Sequence, residues 1–232
     1  MTNIFSLKEK NIVLTGAVGI LGKTFCKGFL DAGANLVLID RDQAEIDRLI
    51  AELVLLHPQQ KILGFACDIT EEDQVREIVR KIISQVNFIH VLHNNAASKG
   101  SNLDDFFDSF ENFKLSAWQE IMKVNVDGMF LMAKHVGQHM IDQKIAGSII
   151  QTASIYAVVA PDQRIYDGSR YFNRQISSPA VYSASKAAVI GLSNYLAAYW
   201  GHLGIRVNTI TPGGMESGQN DTFKITYSDR VP

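Results

Sequence analysis

The sequence predicts an α/β protein, a doubly wound parallel sheet with helices on both faces, on three observations. Short apolar runs of strand length alternate with longer stretches of helical period from residue 11 to residue 210, and that alternation implies a parallel sheet. The first strand is joined to the first helix by a glycine-spaced turn. The stretches whose residue types suit a ligand all fall where a strand ends, which is where open sheets of this kind bind their ligands.

Composition bounds the reading. At 232 residues, 47% hydrophobic and 20% charged, the chain suits one domain, residues 1–232, with a full core. A net charge of −2 leaves no basic excess for a nucleic-acid or anionic-membrane surface. No apolar run approaches a membrane span. Cys26 lies in a helix-like stretch and Cys67 in a strand-like one. With no metal-type or redox-type spacing between them, two reduced thiols in a cytoplasmic protein are expected. The amino terminus runs almost directly into a strand, so no signal peptide is expected.

The elements follow in order. Residues 11–15 (NIVLT) read as a buried strand, followed by Gly16-Ala-Val-Gly19-Ile20-Leu21-Gly22 and a helix. Backbone N–H groups at such a helix start can hold a pyrophosphate, and the glycines let it approach. The second strand, 35–39, ends in Asp40, about 20 residues past the loop, where a carboxylate can accept hydrogen bonds from ribose hydroxyls. That acid would repel the extra phosphate of NADP and favours NAD; Arg41, which could pair with that phosphate, is the argument for NADP. A helix over about 43–56 precedes a third strand, 61–66, which leads into Cys67-Asp68-Ile69-Thr70 and an acid-started helix to about 86. The fourth strand, 88–93, leads into Asn94-Asn95-Ala96-Ala97, small residues and amides suited to lie against a ligand.

Residues 98–115 read as a loop near the mouth of the site. One long helix is expected over about 116–143, with Asn125 inside its apolar run and in need of a partner if buried. His135 and His139 are four apart there without a third ligand, so a metal site is not expected; His93 reads as a satisfied core histidine. The fifth strand, 147–152, leads to Ala153-Ser154. The stretch that follows is the least regular of the chain and carries Arg164, Arg170 and Arg174. A sixth strand, 205–210, precedes Thr211-Pro212-Gly213-Gly214-Met215, after which the sequence is polar.

Between the fifth and sixth strands lies Tyr182-Ser-Ala-Ser-Lys186 at the head of a helix. The four-residue spacing puts both side chains on one helix face. A phenol has a pKa of about 10, and a neighbouring ammonium favours its phenolate, so the pair can perform acid/base work at neutral pH.

Taken together, TGAVGILG, NNAA, Asn125, Ser154, Tyr182 with Lys186, and PGGM resemble the ordered motifs of the short-chain dehydrogenase/reductase family, in its compact Rossmann-type form. The resemblance implies a catalytic set of Asn125, Ser154, Tyr182 and Lys186, and hydride transfer between a nicotinamide and a secondary alcohol or ketone. It implies cofactor contacts from Gly16, Gly19, Ile20, Leu21, Gly22, Asp40, Arg41, Asp68, Ile69, Asn95, Ala96, Ala97, Tyr182, Lys186, Pro212, Gly213 and Met215. It also implies a small-molecule substrate, a homodimer or homotetramer, and Asn125 holding a water that links Lys186 to solvent.

The sequence departs from the family pattern in several places. Ile20 stands where compact members usually carry the middle glycine, a spacing more typical of the sugar-nucleotide-modifying branch. Ala97 replaces a glycine. Ser154 and Tyr182 lie 28 positions apart, farther than the family usually has them, and the segment between them resembles oxidoreductases of bacterial surface-glycan and flagellin-glycan pathways. Its three arginines could clamp a substrate carboxylate or phosphate, or form a solvated flap. The chain is also expected to lack the family's last strand. Two alternatives to the dehydrogenase stand: a sugar-nucleotide epimerase or dehydratase with tightly bound NAD, and a non-catalytic NAD-binding protein.

Overall fold

Each apolar run of the amino-terminal half becomes a strand, and the period-2 alternation decides what covers it. The computed structural model describes residues 4–230, so the first three and last two residues of the expected domain lie outside the described ones. The strands β1 (Asn11–Thr15), β2 (Asn35–Asp40), β3 (Ile62–Ala66) and β4 (Val91–Asn94) alternate with α1 (Ile20–Asp31), α2 (Gln43–Leu56) and α3 (Glu72–Val86). A short α4 (Leu103–Phe106) precedes α5 (Leu115–Met122) and α6 (Met129–Asp142), followed by β5 (Ser148–Thr152). A two-stranded hairpin, β6 (Arg170–Tyr171) and β7 (Arg174–Gln175), leads to α7 (Ala180–Trp200), β8 (Arg206–Ile210) and α8 (Asp221–Ser228).

Six strands form one parallel sheet in the order β3-β2-β1-β4-β5-β8. The chain builds outward from β1 to β3, then returns to the other side of β1 at β4. That reversal opens a crevice at the carboxyl ends of β1 and β4. Ile12, Leu14, Leu36 and Leu38 pack with Leu30 of α1 and Ile46 and Leu49 of α2 on one face. Val13, Val37 and Ile39 face the opposite way, toward Val75 and Ile78 of α3, Met132 and Val136 of α6, and Leu196 and Trp200 of α7. The expectation of a sheet covered on both faces holds for β1 and β2. On β8 the alternation reads differently: Val207 is buried, but Arg206 and Asn208 are exposed.

Four expectations change. The fourth strand begins at Val91 rather than residue 88, because Asn87 takes a positive φ of 62° after α3 and the Asn11 amide donates to the Val86 and Phe88 carbonyls at 3.1 and 2.7 Å. The long helix over 116–143 is one helical path, but Lys123–Gly128 in its middle is π-helical. The loop over 98–115 contains α4, capped by the Asn102 side chain, which accepts from the Asp104 N–H. The polar stretch after Met215 contains α8, capped by Asn220. Its sequence lacks a strong apolar period, so the helix depends on its cap and on packing of Phe223 and Tyr227 against the segment 165–176.

The glycine turn after β1 is held by close backbone approach. Gly16 has φ +66°, and a Cβ there would lie 2.7 Å from the Ala96 Cα. At Gly22 a Cβ would fall 2.1 Å from the Gly16 carbonyl oxygen and 2.6 Å from that of Ala17. Since backbone cannot rotate away, Gly22→Ala is expected to destabilise by about 1–3 kcal/mol and to weaken cofactor binding by at least about tenfold; urea denaturation and fluorescence titration with NADH would measure both, and unchanged values would overturn this account of the turn.

Candidate active site

The carboxyl ends of β1, β2, β4 and the segment after β3 frame a cleft of about 470 Å³. Helix α1 enters it with Gly19 as its N-cap, which offers no side-chain acceptor to the first-turn N–H groups. Those donors and the positive end of the helix dipole make an anion cradle. Thr15 braces the crevice from beneath: its hydroxyl oxygen accepts from the N–H groups of Asn95 and Ala96 at 3.0 and 3.1 Å. The Asn95 amide donates back to the carbonyls of Thr15 and Gly16. Fully buried at the end of an apolar strand, Thr15 gives no sequence signal for this task.

Of the residues expected to touch a cofactor, Gly16, Gly19, Ile20, Leu21, Asp40, Arg41, Asp68, Ile69, Asn95, Ala96, Ala97, Tyr182 and Met215 line this cleft. Gly22 sits beneath the turn, and Lys186, Pro212 and Gly213 stand outside the lining. Val18, Ser98, Lys99, Tyr171 and Ser217 line it without having been singled out. Asp40 is held in place by the Val18 and Arg41 N–H groups at 3.1 and 2.8 Å. Burial pushes the Asp68 carboxyl up, but hydrogen bonds from the Thr70 N–H and hydroxyl, with the charges of Arg41 and Lys123, outweigh it and hold the acid below the usual carboxylate range.

Tyr182 stands in the first turn of α7, half-buried, and lines this cleft together with a second pocket of about 200 Å³ beside it. One turn on, Lys186 is only 2% exposed. Its ammonium donates to the Thr152 carbonyl at 2.8 Å, and burial pushes its pKa down to about 8. Ser154, also buried, follows β5; its hydroxyl oxygen accepts from the Tyr156 N–H at 3.2 Å, which leaves the hydroxyl proton free to donate. Ser154 lines neither cavity, whereas Tyr156, to which it is hydrogen-bonded, lines the second.

Asn125 lies in the π-helical stretch, a form that concentrates at functional sites. It is fully buried and partnered: its oxygen accepts from the Ser98 N–H at 2.8 Å, and its amide donates to the Ser185 hydroxyl at 3.1 Å. The Ser185 hydroxyl in turn donates to the Tyr182 carbonyl at 2.9 Å. Asn125 thus joins the segment after β4 to the first turns of α7.

The three arginines after Ser154 do not converge. Arg164 makes a two-pronged pair with Asp162 at 2.8 Å on both nitrogens. Arg170 donates to the Asn173 carbonyl, and Arg174 pairs with Asp104. None lines the cleft or the second pocket. Arg170 and Arg174 flank the hairpin turn, where Phe172 and Asn173 both take positive φ, the geometry of a tight two-residue turn.

The histidines are structural. The Ile89 N–H donates to His139, and His135 meets Glu72. His93 pairs with the Thr152 hydroxyl at 2.9 Å, but its Nδ1 has no partner, so the expected satisfaction holds for one nitrogen; burial lowers its pKa to about 4 and keeps it neutral. Among the described residues no cluster of metal-ligating side chains is present, and no helix is long and apolar enough to cross a membrane. Cys26 and Cys67 are free and buried.

A family model described as enoyl-(acyl carrier protein) reductase matches residues 16–227. D-threitol dehydrogenase of Mycolicibacterium smegmatis is 30% identical over 208 residues, 90% of this chain and 71% of that protein. NAD-dependent glycerol dehydrogenase of Listeria innocua is 28% identical over 208 residues, again 90% of this chain and 71% of the relative. The crystal structure of a short chain dehydrogenase from Leptospira borgpetersenii with bound NAD+ superposes with a TM-score of 0.82 at 26% identity, covering 100% of this chain and 82% of that one.

Proposed function

This chain belongs to the short-chain dehydrogenase/reductase family, and on that premise we propose that Tyr182, Lys186 and Ser154 are the groups with which it oxidises a secondary alcohol or reduces the matching ketone. It is an oxidoreductase that works with a nicotinamide cofactor. The observation that carries the assignment is that Tyr182 forms a wall common to the cofactor cleft and the second pocket, with a buried ammonium one turn behind it. An acid/base placed there reaches the oxygen of a substrate whose carbon faces the cleft.

The uncapped start of α1 fits a pyrophosphate, and the bound cofactor supplies the hydride chemistry. The protein handles position and protons. In the oxidation direction Tyr182, as phenolate, takes the proton of the substrate hydroxyl as the C–H electron pair leaves the carbon; in reduction the phenol returns it. Lys186 favours the phenolate by its charge. Ser154, its hydroxyl oriented by the Tyr156 N–H, donates to the substrate oxygen and steadies charge developing there. Asn125 acts as a positioning residue, through Ser98 and Ser185. Pro212 is fixed to the Ser154 turn, its carbonyl accepting from the Ile155 N–H at 3.0 Å, and the segment it starts brings Met215 to the cleft wall.

NAD is the favoured cofactor in this reading: the Asp40 carboxylate lines the cleft at the end of β2, where it would accept from ribose hydroxyls and repel a ribose phosphate. Asp40→Ala is expected to raise the NADP-to-NAD ratio of kcat/KM by at least about tenfold, equivalent to about 1.4 kcal/mol. Steady-state kinetics with both cofactors measures it, and an unmoved ratio would place discrimination elsewhere, with Arg41 the next residue to test.

The second pocket, at about 200 Å³, is smaller than the roughly 300 Å³ at which pockets for drug-sized ligands begin, which favours a small alcohol over the nucleotide sugar of the epimerase or dehydratase alternative. The exposed Phe130 of α6 and the stacked Tyr195–Tyr199 pair of α7 offer a surface for the expected homodimer or homotetramer, and the free cysteines suit a reducing, cytoplasmic setting. The experiment that tests the reading is NADH formation by the purified protein with a panel of alcohols and polyols. Product interconversion without net NADH would favour the epimerase. Tight NADH binding without turnover of any member would favour a non-catalytic role.

A further inference from the structure

Resting on the oxidoreductase reading above, we propose that the second pocket is the substrate chamber for a small uncharged ring compound carrying a second oxygen, and that the Tyr156 and Tyr166 hydroxyls recognise that oxygen. The chamber is built from the irregular segment between Ser154 and Tyr182 and from α8. The two parts are tied together: the Thr226 hydroxyl donates to the Ile165 carbonyl at 3.1 Å, the Arg170 N–H donates to Asn220 at 2.9 Å, and Arg230 pairs with Asp162 at 3.2 Å.

Shape comes first. Near 200 Å³, the chamber falls below the roughly 300 Å³ at which pockets for drug-sized ligands begin, and suits about one substituted six-membered ring. Its walls are largely aromatic: Phe106, Phe107, Tyr156, Tyr166, Tyr171 and Phe223 are in the lining, and Phe223 is fixed by stacking on Tyr166 and Tyr227 with ring centres 5.8 and 5.4 Å apart. A rigid aromatic lining packs well against a saturated ring and poorly against an extended, fully solvated chain.

Charge decides the class. Among the described residues lining the chamber there is no carboxylate and no guanidinium. The arginines that might have met an anion stay outside the lining and are paired. The one formal charge, Lys99, lies at the boundary with the cofactor cleft, its ammonium 4.2 Å from the centre of the Tyr171 ring. An anionic group deeper in the chamber would be desolvated without a partner.

Apart from Lys99, the polar side chains of the lining are neutral, hydroxyls together with the Gln219 amide. The Tyr166 hydroxyl donates to that of Tyr156 over 3.4 Å, a long contact that leaves both oxygens able to take a ligand group. Burial raises the pKa of each, so both stay protonated and can donate or accept. Tyr182 closes the same chamber. A ring that places its reacting oxygen on Tyr182 therefore meets Tyr156 and Tyr166 with its next one.

The test uses the full chain with NAD and four classes of alcohol: cyclohexanol, cyclohexanediols, xylitol and 4-hydroxycyclohexanecarboxylate. A cyclohexanediol is expected to exceed each of the others in kcat/KM by at least tenfold. Tyr156→Phe and Tyr166→Phe are each expected to lower the diol-to-cyclohexanol ratio by at least tenfold, with NADH affinity and melting temperature retained as evidence of folding. Preference for xylitol or the acid, or a ratio that neither variant moves, would overturn the chamber assignment while leaving the dehydrogenase intact. Saturation-transfer NMR on the NADH complex separates the reverse case: diol binding lost in both variants, without turnover of any alcohol, would sink the dehydrogenase reading and support the chamber. Neither binding nor turnover of the diols would overturn the proposal.

Discussion

Replacing Tyr182 by Phe is expected to lower kcat by at least about a thousandfold, within the range that a positioned acid/base contributes, while NADH affinity stays within about twofold. The change removes one oxygen and keeps the ring. Among the described residues the Tyr182 hydroxyl makes no hydrogen bond to protein, so the fold loses no contact with it, and stability should move by no more than about 0.5 kcal/mol. The other residues that line the cleft, Asp40, Arg41, Asp68, Asn95 and Met215 among them, make no hydrogen bond to the phenol. Steady-state turnover and an NADH titration, measured on the same preparation, check both halves. Retained turnover would remove Tyr182 from the chemistry, and loss of NADH binding in parallel would show that the ring had been displaced.

Lys186→Met is expected to abolish turnover and to stabilise the protein at pH 7. The folded-state pKa of about 8 lies below the ordinary lysine value of about 10.4. Between those values the unfolded chain keeps a proton that the folded chain has released, so stability rises with pH across that window. Below pH 8 the folded protein carries the full penalty of a charged group that is 2% exposed. A shift of that size corresponds to about 3 kcal/mol. Methionine fills similar space without the charge, but leaves the Thr152 carbonyl without its 2.8 Å donor, at a cost of about 1–2 kcal/mol. The expected net gain is therefore about 1–2 kcal/mol at pH 7, vanishing by about pH 10, where the native lysine is neutral when folded. Urea denaturation at both pH values measures it. A variant less stable than the parent at pH 7 would mean that the ammonium holds the site together, instead of being held there against its own preference.

Together the two variants locate a trade between stability and activity. The fold keeps the Lys186 ammonium out of water one turn behind Tyr182, at the expense of the stability that a buried apolar side chain would give.

Most of the sheet was legible because its cues are local. NIVLT followed by Gly16, and NLVLI followed by Asp40, each carry strand, turn and ligand-facing residue within a few positions. The site residues at strand ends were legible for the same reason, and Asp40, Asn95 and Met215 line one cleft though they lie far apart in sequence. Other features left no local trace. The π-helical stretch around Asn125 has the apolar period of an ordinary helix. Thr15 looks like any strand-end threonine until the segment after β4 docks on its hydroxyl. Arg174 reads as a free cation until the hairpin brings it to Asp104, 70 positions away.

The sequence by itself determined the α/β sheet, the glycine cradle and the placing of Tyr182 and Lys186 one helical turn apart, because each follows from spacing within a single strand or a single helical turn. Only the tertiary structure decided what surrounds them: that Lys186 is dry, that the arginines after Ser154 line neither pocket, and that Tyr156, Tyr166, Phe223 and Tyr227 line a chamber without carboxylate or guanidinium beside Tyr182. Burial and charge pairing are properties of segments brought together from opposite ends of the chain, and no short-range pattern carries them.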